Sequence, residues 1–333
     1  MTALDASLLA QLTTPAPRLP QLEQWLMHDI WSVSALRRAG GSPQDYLLAG
    51  EREVNERESL LGATAGNVYR ELALVQGDEK TVEGFFAANP GATAVIFDGC
   101  SLRELPRLIE LAKTSKRAVI ESGCSRAAIP SETNQFVVDR LGLGLPELGP
   151  SQLTSRRELR ERNVRFYYFG QAASYHTIED GPESILLWCR FPDQRYTDST
   201  AIDEGLFDGI WDGFELAWRN TVQALPPDRK VLVTSDHGYV FLKSGFSDAR
   251  LKNSDRTLNG KRFRFFAPEE PLPDEAAGLW VDAPRRLAIL AGRAHNRPQA
   301  PSASQSVYRH GGLSLMEMLT PWLVLGPVGS AKE

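Results

Sequence analysis

Cysteine is scarce in this sequence. Only Cys100, Cys124 and Cys189 occur in 333 residues, with no CxxC pair and no finger spacing. That excludes a disulfide-stapled scaffold and a thiolate zinc finger, and makes reduced thiols in a cytoplasmic protein the expectation. Long apolar runs are missing as well: no uncharged stretch approaches the ~18 residues of a membrane helix. Asp5 falls early and no basic start precedes an apolar core, so no secretory leader is expected. Neither sign of charge dominates. A formal net charge of −5 argues against a broad surface that coats nucleic acid, though not against a local basic groove. No internal repeat is present.

What the chain does have is a 42% apolar composition, enough to bury the core of one large α/β domain or two smaller ones. Residues 1–90 read as an α-helical accessory region. Three prolines, Pro15, Pro17 and Pro20, mark an irregular lead. Leu22, Trp25, Leu26, Ile30, Trp31, Val33 and Leu36 then recur at helical spacing up to Gly40-Gly41. Ser42-Pro43 followed by Asp45 is a helix start, with a cap, a first-turn proline and an early acid. Shorter helices are expected near Asn67–Leu74 and Thr81–Ala88.

Residues 91–333 alternate strands with helices. Strands are expected at Ala92–Phe97, Arg117–Ile120, Val164–Phe169, Ser184–Cys189, Arg262–Phe266 and Arg286–Leu290. Helices are expected at Leu102–Lys113, Asn134–Leu141 and Leu313–Trp322, with a long amphipathic one spanning Ile202 to Val222. Loops are expected at Ser122–Ala128 and Phe191–Asp198, and a mobile Pro/Ser-rich stretch at Ala294–Ser306. The fold class that follows is α/β: a mostly parallel central sheet with helices on both faces, preceded by the α-helical region.

The most informative stretch is Lys230-Val231-Leu232-Val233-Thr234-Ser235-Asp236-His237-Gly238. It starts as a buried parallel strand and ends in an acid, an imidazole and a glycine. Ligands of open α/β sheets sit at the carboxyl ends of strands. Neighbouring strand residues point to opposite faces, so Asp236 and His237 can meet one ion only where the strand has ended, and Gly238 suits such a turn. Acids and imidazoles recur just past strand ends at Asp98, Asp193 and Asp236-His237. Ordinary turns explain each one singly but not the recurrence.

Several of these pieces resemble the alkaline phosphatase superfamily and, within it, the PglZ-domain family. Val95-Ile96-Phe97-Asp98-Gly99 looks like a first metal-ligand strand, and Pro130-Ser131-Glu132-Thr133 like a nucleophile segment. Thr234-Ser235-Asp236-His237-Gly238 looks like the second ligand strand, and Tyr308-Arg309-His310-Gly311-Gly312-Leu313-Ser314-Leu315 like the closing histidine motif. The resemblance covers about residues 92–326. It implies an alkaline-phosphatase-like fold and a hydrolase of phosphate esters holding two metal ions, usually zinc. Asp98, Asp236 and His237 would hold one ion, Asp193 and His310 the other, with Thr133 as nucleophile.

Related phosphodiesterases carry a histidine about four residues after the position of Asp193. Here Thr197 stands there, with Asp198 beside it. Asp198 is one replacement ligand and would make a harder site, open to manganese or magnesium as well as zinc. His176 is a reserve imidazole. Ser131, two residues from Thr133, stays open as an alternative nucleophile. The resemblance further implies a phosphoester substrate, a nucleotide or nucleic acid, and partner proteins in a phage-defence locus of the BREX kind. The rival expectation is a scaffold or binding subunit of such a complex whose second metal site has decayed. Basic patches at Arg156–Arg165 and Arg250–Arg264, the second with interleaved phenylalanines, fit either a single-strand groove or charged outward positions of an edge strand.

Overall fold

A computed structural model of the chain describes residues 19–64, 67–74, 80–145, 149–197, 205–242, 257–259, 261–295 and 308–329. Its centre is a six-stranded sheet in the order β2-β11-β5-β1-β4-β3. These strands are β1 (Thr93–Phe97), β2 (Arg117–Arg126), β3 (Val164–Phe169), β4 (Ser184–Cys189), β5 (Val231–Thr234) and β11 (Leu319–Val328). Strand β1 runs parallel to β4 and β5, and β3 parallel to β4, while β11 lies antiparallel between β5 and β2. The carboxyl ends of β1, β4 and β5 therefore share one rim.

Every residue of β1, β4 and β5 is buried, as strands covered on both faces require. The two-residue period divides them. Val95 and Phe97 join one core, with the N-terminal helices and the helix α10 (Leu206–Asn220). Ala94, Ile96 and Trp188 join the other, with Val82 and Phe85 of α5 (Val82–Ala88) and Phe136 and Val137 of α7 (Thr133–Asp139). The amphipathic helix expected from Ile202 to Val222 is observed over Leu206–Asn220, with Leu206, Ile210, Phe214 and Ala217 buried as the spacing predicts; Val222 lies past its end and Ile202 outside the described residues. Burying each large aliphatic or phenylalanine side chain of this stripe contributes roughly 1.5–3 kcal/mol before entropy is counted. A small antiparallel sheet, β7 (Phe263–Phe265), β9 (Leu287–Leu290) and β8 (Leu279–Asp282), has its own core. The short pair β6 (Val240–Phe241) and β10 (Tyr308–Arg309) brings the segment of His310 back to the segment after His237.

The N-terminal helices share the first core. Leu22, Trp25 and Trp31 cluster with Val95 and Phe97. Charge ties them as well: Glu51 of α3 (Pro43–Thr64) pairs with Arg103 and Arg293, and Glu58 with Arg293, all fully buried. Glu58 also accepts the backbone N–H of Leu315 at 2.7 Å.

Several expectations are corrected. The single helix expected over Leu22–Leu36 is broken: α1 (Leu19–Trp25) passes into a π-turn at Leu26–Ile30, and Ser32 caps a new helix, α2 (Val33–Arg38). Ser122–Arg126, expected as loop, continues β2, because β11 supplies a full row of antiparallel partners. Leu313–Trp322, expected as one helix, is only the four-residue α11 (Leu315–Met318), after which β11 begins. That run is apolar enough for either state, and pairing to β5 and β2 decides it. Asp193–Thr197, expected as loop, is the short helix α9. Residues 296–306 of the expected mobile stretch, and Asp198, lie outside the described residues.

Candidate active site

The site forms at the shared rim. Asp98 follows β1 directly, and Asp236-His237 follow β5 after one residue. Their functional atoms gather into two groups, Asp98–Asp236–His237 and Asp193–His237–His310, in each of which the ligand-type atoms lie within 4.8 Å of one another. His237 belongs to both. Its Nε2 lies 3.7 Å from Asp98 Oδ1 and 3.5 Å from Asp236 Oδ2, and His310 Nε2 lies 4.0 Å from Asp193 Oδ1.

Backbone contacts set the tautomers. His237 Nδ1 donates to the Gly238 carbonyl at 2.9 Å, and His310 Nδ1 donates to the Ser131 carbonyl at 3.3 Å. Each ring then presents an Nε2 lone pair to the acids, as a metal-ligating imidazole does. The rings stack at 4.1 Å with 10° between their planes. Burial and the neighbouring His237 hold the His310 imidazole down to about 4, so it is neutral near pH 7. Asp98 is displaced the other way: burial first, then the charges of Asp236 and Asp193, raise it well above the usual carboxylate range.

The acids are oriented from behind. Trp188 Nε1 donates to Asp98 Oδ2 at 3.0 Å, the Gly99 N–H to Asp236 Oδ1 at 3.0 Å, and Tyr308 Oη to Asp193 Oδ1 at 2.9 Å. Gly99 has φ +71°, and a Cβ there would sit 2.7 Å from Tyr308 Oη. Gly238 is needed for a different reason from the expected turn angle. Its φ is not positive, but a Cβ would overlap the Met316 carbonyl oxygen of the adjacent segment.

These donors fit a divalent cation. Asp98 Oδ1 is buried and has no hydrogen-bond partner, although it lies inside an oxygen and nitrogen cluster. A carboxylate oxygen left so is costly unless a cation neutralises it. The residues suit zinc, manganese or magnesium alike by donor chemistry.

Thr133 is the first residue of α7. Its hydroxyl donates to Asp236 Oδ2 at 2.6 Å and lies 3.4 Å from His237 Nε2. It therefore turns into the acid cluster and does not cap the helix. Ser131, the alternative nucleophile, is fully buried. Its Oγ donates to the Gly312 carbonyl at 2.7 Å and accepts the Gly311 N–H at 3.1 Å, clamping the loop after His310.

Thr197, at the position of the missing imidazole, donates to Asp193 Oδ2 at 3.4 Å. His176 does not replace that imidazole. It is exposed, bonds the Tyr168 carbonyl at 2.8 Å and packs on Phe169. Burial raises Cys100 far above its usual value and pushes Cys189 up to about 12, so both rest as thiols.

Sequence reading missed Trp188 and Tyr308, whose roles appear only when strand β4 and the β10 segment meet the acids. It also missed the buried Arg262–Glu317 pair, which holds the Gly312 N–H. The basic patch at Arg156–Arg165 is largely engaged internally. Arg157 pairs with Glu161, Arg162 holds the Leu141 and Gly142 carbonyls, and Arg165 pairs with Glu179 and Glu183. In the second patch Arg262 is buried, Arg264 pairs with Glu270, and residues 250–256 lie outside the described residues. In front of the site lies a cavity of about 290 Å³, bordered by Asp98, Glu132, Thr133, Tyr168, Arg190 and Asp193 among others.

No family model and no curated protein matches the sequence. Among solved structures, the chain is similar to murine ectonucleotide pyrophosphatase/phosphodiesterase 5, at 16% identity over 71% of this chain and 88% of that one, with a TM-score of 0.44. An inactive variant of that protein in complex with AMP matches with a TM-score of 0.43 over the same shares and at the same identity. Phosphonoacetate hydrolase from Sinorhizobium meliloti 1021, in complex with phosphonoacetate, matches at 12% identity over 71% of this chain and 90% of that one, with a TM-score of 0.40.

Proposed function

We propose that the chain is a metal-dependent phosphoesterase, acting on phosphodiesters, with Thr133 as its nucleophile. The observation that carries this is the 2.6 Å hydrogen bond from the Thr133 hydroxyl to Asp236, inside a cluster of acids and imidazoles at a strand-end rim. Asp98, Asp236 and His237 would hold one cation, and Asp193 and His310 a second. Two cations, when bound, offset charge on the phosphate and activate the attacking oxygen.

The chain's own residues do the rest. Asp236 Oδ2 stands where it can take the Thr133 proton as Oγ1 attacks phosphorus. The bond from phosphorus to the leaving oxygen breaks, leaving a phosphate ester on Thr133 that water then cleaves. Trp188 and Tyr308 keep Asp98 and Asp193 aimed during both steps. Ser131 positions the loop that carries His310.

The finer reading follows the motif resemblance: a PglZ-domain protein with two zinc ions, working in the cytoplasm on a nucleotide or nucleic acid, in a BREX-like phage-defence complex. One observation favours the scaffold alternative. The second group has Thr197 in place of an imidazole and shares His237 with the first, so it is a ligand poorer.

Metal analysis combined with turnover of bis-p-nitrophenyl phosphate tests both readings. Two equivalents of metal, turnover, and its loss in Thr133→Ala and Asp236→Ala are the expected result. One equivalent or none, with no turnover to lose, selects the scaffold.

A further inference from the structure

The cavity before the site is lined by three acids, Asp98, Glu132 and Asp193, and by one cationic side chain among its described residues, Arg190. Arg190 follows β4 on the same side as Trp188, by the two-residue period. Its backbone is held at both ends. The N–H donates to the Phe169 carbonyl at 2.9 Å, and its own carbonyl accepts from Gln194 in α9 at 3.2 Å. The residue is exposed.

Elsewhere the arginines near this domain's core are tied. Arg103 and Arg293 pair with Glu51, and Arg262 with Glu317. Among the described residues the Arg190 guanidinium makes no ion pair, although three acids line the same cavity and Asp98 is close enough to feel its charge. A fixed Cα with a free, planar, permanently charged head is the arrangement that captures an incoming phosphate bidentately. The scissile phosphate is already met deeper in the site, by Thr133 and the Asp–His cluster. Arg190 stands at the mouth, where three acids would otherwise repel a polyanion.

We propose that Arg190 binds a second phosphate of the substrate, adjacent to the one being cleaved, so that the preferred substrates are multiply phosphorylated phosphodiesters such as nucleotide chains. This rests on the phosphodiesterase reading and adds its substrate class.

The test compares two esters with the same scissile bond: thymidine 5′-(p-nitrophenyl phosphate), and the same compound carrying a 3′-phosphate. The metal-loaded full chain should favour the 3′-phosphorylated ester through a lower KM. Arg190→Gln should raise that KM by about tenfold, the size of one charge-assisted contact at an exposed position. It should leave the constants for the other ester within about twofold, and Arg190→Lys should keep part of the preference. Calorimetry supplies a readout without turnover: thymidine 3′,5′-bisphosphate should bind the wild type more tightly than thymidine 5′-monophosphate, and Arg190→Gln should remove the difference.

Equal loss on both esters would place Arg190 on the scissile phosphate and overturn the proposal, as would no change on either. A metal-loaded wild type inert toward both esters, but still preferring the bisphosphate in an Arg190-dependent way, would sink the enzyme reading and leave the subsite standing.

Discussion

The imidazoles of His237 and His310 stack at 4.1 Å, so His310 cannot take a proton without placing its charge against the His237 ring. With burial, that holds His310 down to about 4. Its contribution to stability is present above the unfolded value near 6.5 and is lost as pH falls through the folded value. Metal-free protein, held in chelator, should therefore lose stability between about pH 6.5 and 4. His310→Gln should flatten that part of the profile, read as Tm against pH.

Asp98 works in the opposite sense. Its raised pKa means that the metal-free fold keeps a proton the unfolded chain has shed, so its contribution falls as pH rises above 3.8 through the raised value. Asp98→Asn should stabilise the metal-free protein at pH 8 and abolish the Tm increase produced by added zinc or manganese. Wild-type metal affinity should rise with pH across the same window. An Asp98→Asn variant that still gains Tm with metal would remove Asp98 from the ligand set.

Thr133 and Ser131 separate cleanly by experiment. Thr133→Ala should lose turnover at a smaller stability cost than Ser131→Ala, because its hydroxyl donates one bond, to Asp236, and holds no backbone group. Ser131→Ala removes two buried hydrogen bonds to Gly311 and Gly312 and should cost about 1–3 kcal/mol in urea unfolding while leaving the nucleophile in place. Turnover that survives Thr133→Ala and vanishes in Ser131→Ala would reverse the assignment.

Trp188 and Tyr308 each steer one acid, so their effects on metal should be separable. Trp188→Phe should weaken the ion at Asp98, and Tyr308→Phe the ion at Asp193, each by about 10–100-fold in affinity. Stoichiometry by elemental analysis at limiting metal is the check. Loss of both ions from either variant would mean that the two groups do not bind independently.

The Glu51–Arg103–Arg293–Glu58 cluster joins the N-terminal helices to the segment after His310. Arg293→Met leaves Glu58 buried without its cation and should cost about 3–5 kcal/mol. Loss of metal from the folded variant would additionally show that these helices position His310 through the Glu58 bond to Leu315. Chemical denaturation and metal content together read both effects.

By itself the amino-acid order determined the local features. Apolar runs ending in Asp or His specify strands and put ligand-type side chains at their carboxyl ends. Ser42-Pro43 and Asp45 specify a helix start. The Leu206–Trp218 spacing specifies a buried stripe. Such features depend on neighbours within a few residues, so a single stretch carries them. Tertiary structure alone decided what depends on partners a hundred or more residues away. Residues 319–328 are strand because β2 and β5 offer hydrogen bonds on both sides, where their apolar character also allowed helix. Ser131 is a clamp and Thr133 faces the acids because Gly311-Gly312 and Asp236 arrive from remote segments to claim one hydroxyl each. The direction of a hydroxyl proton, the tautomer of a ring and the freedom of Arg190 are set by what stands opposite them, and the linear chain does not say what that will be.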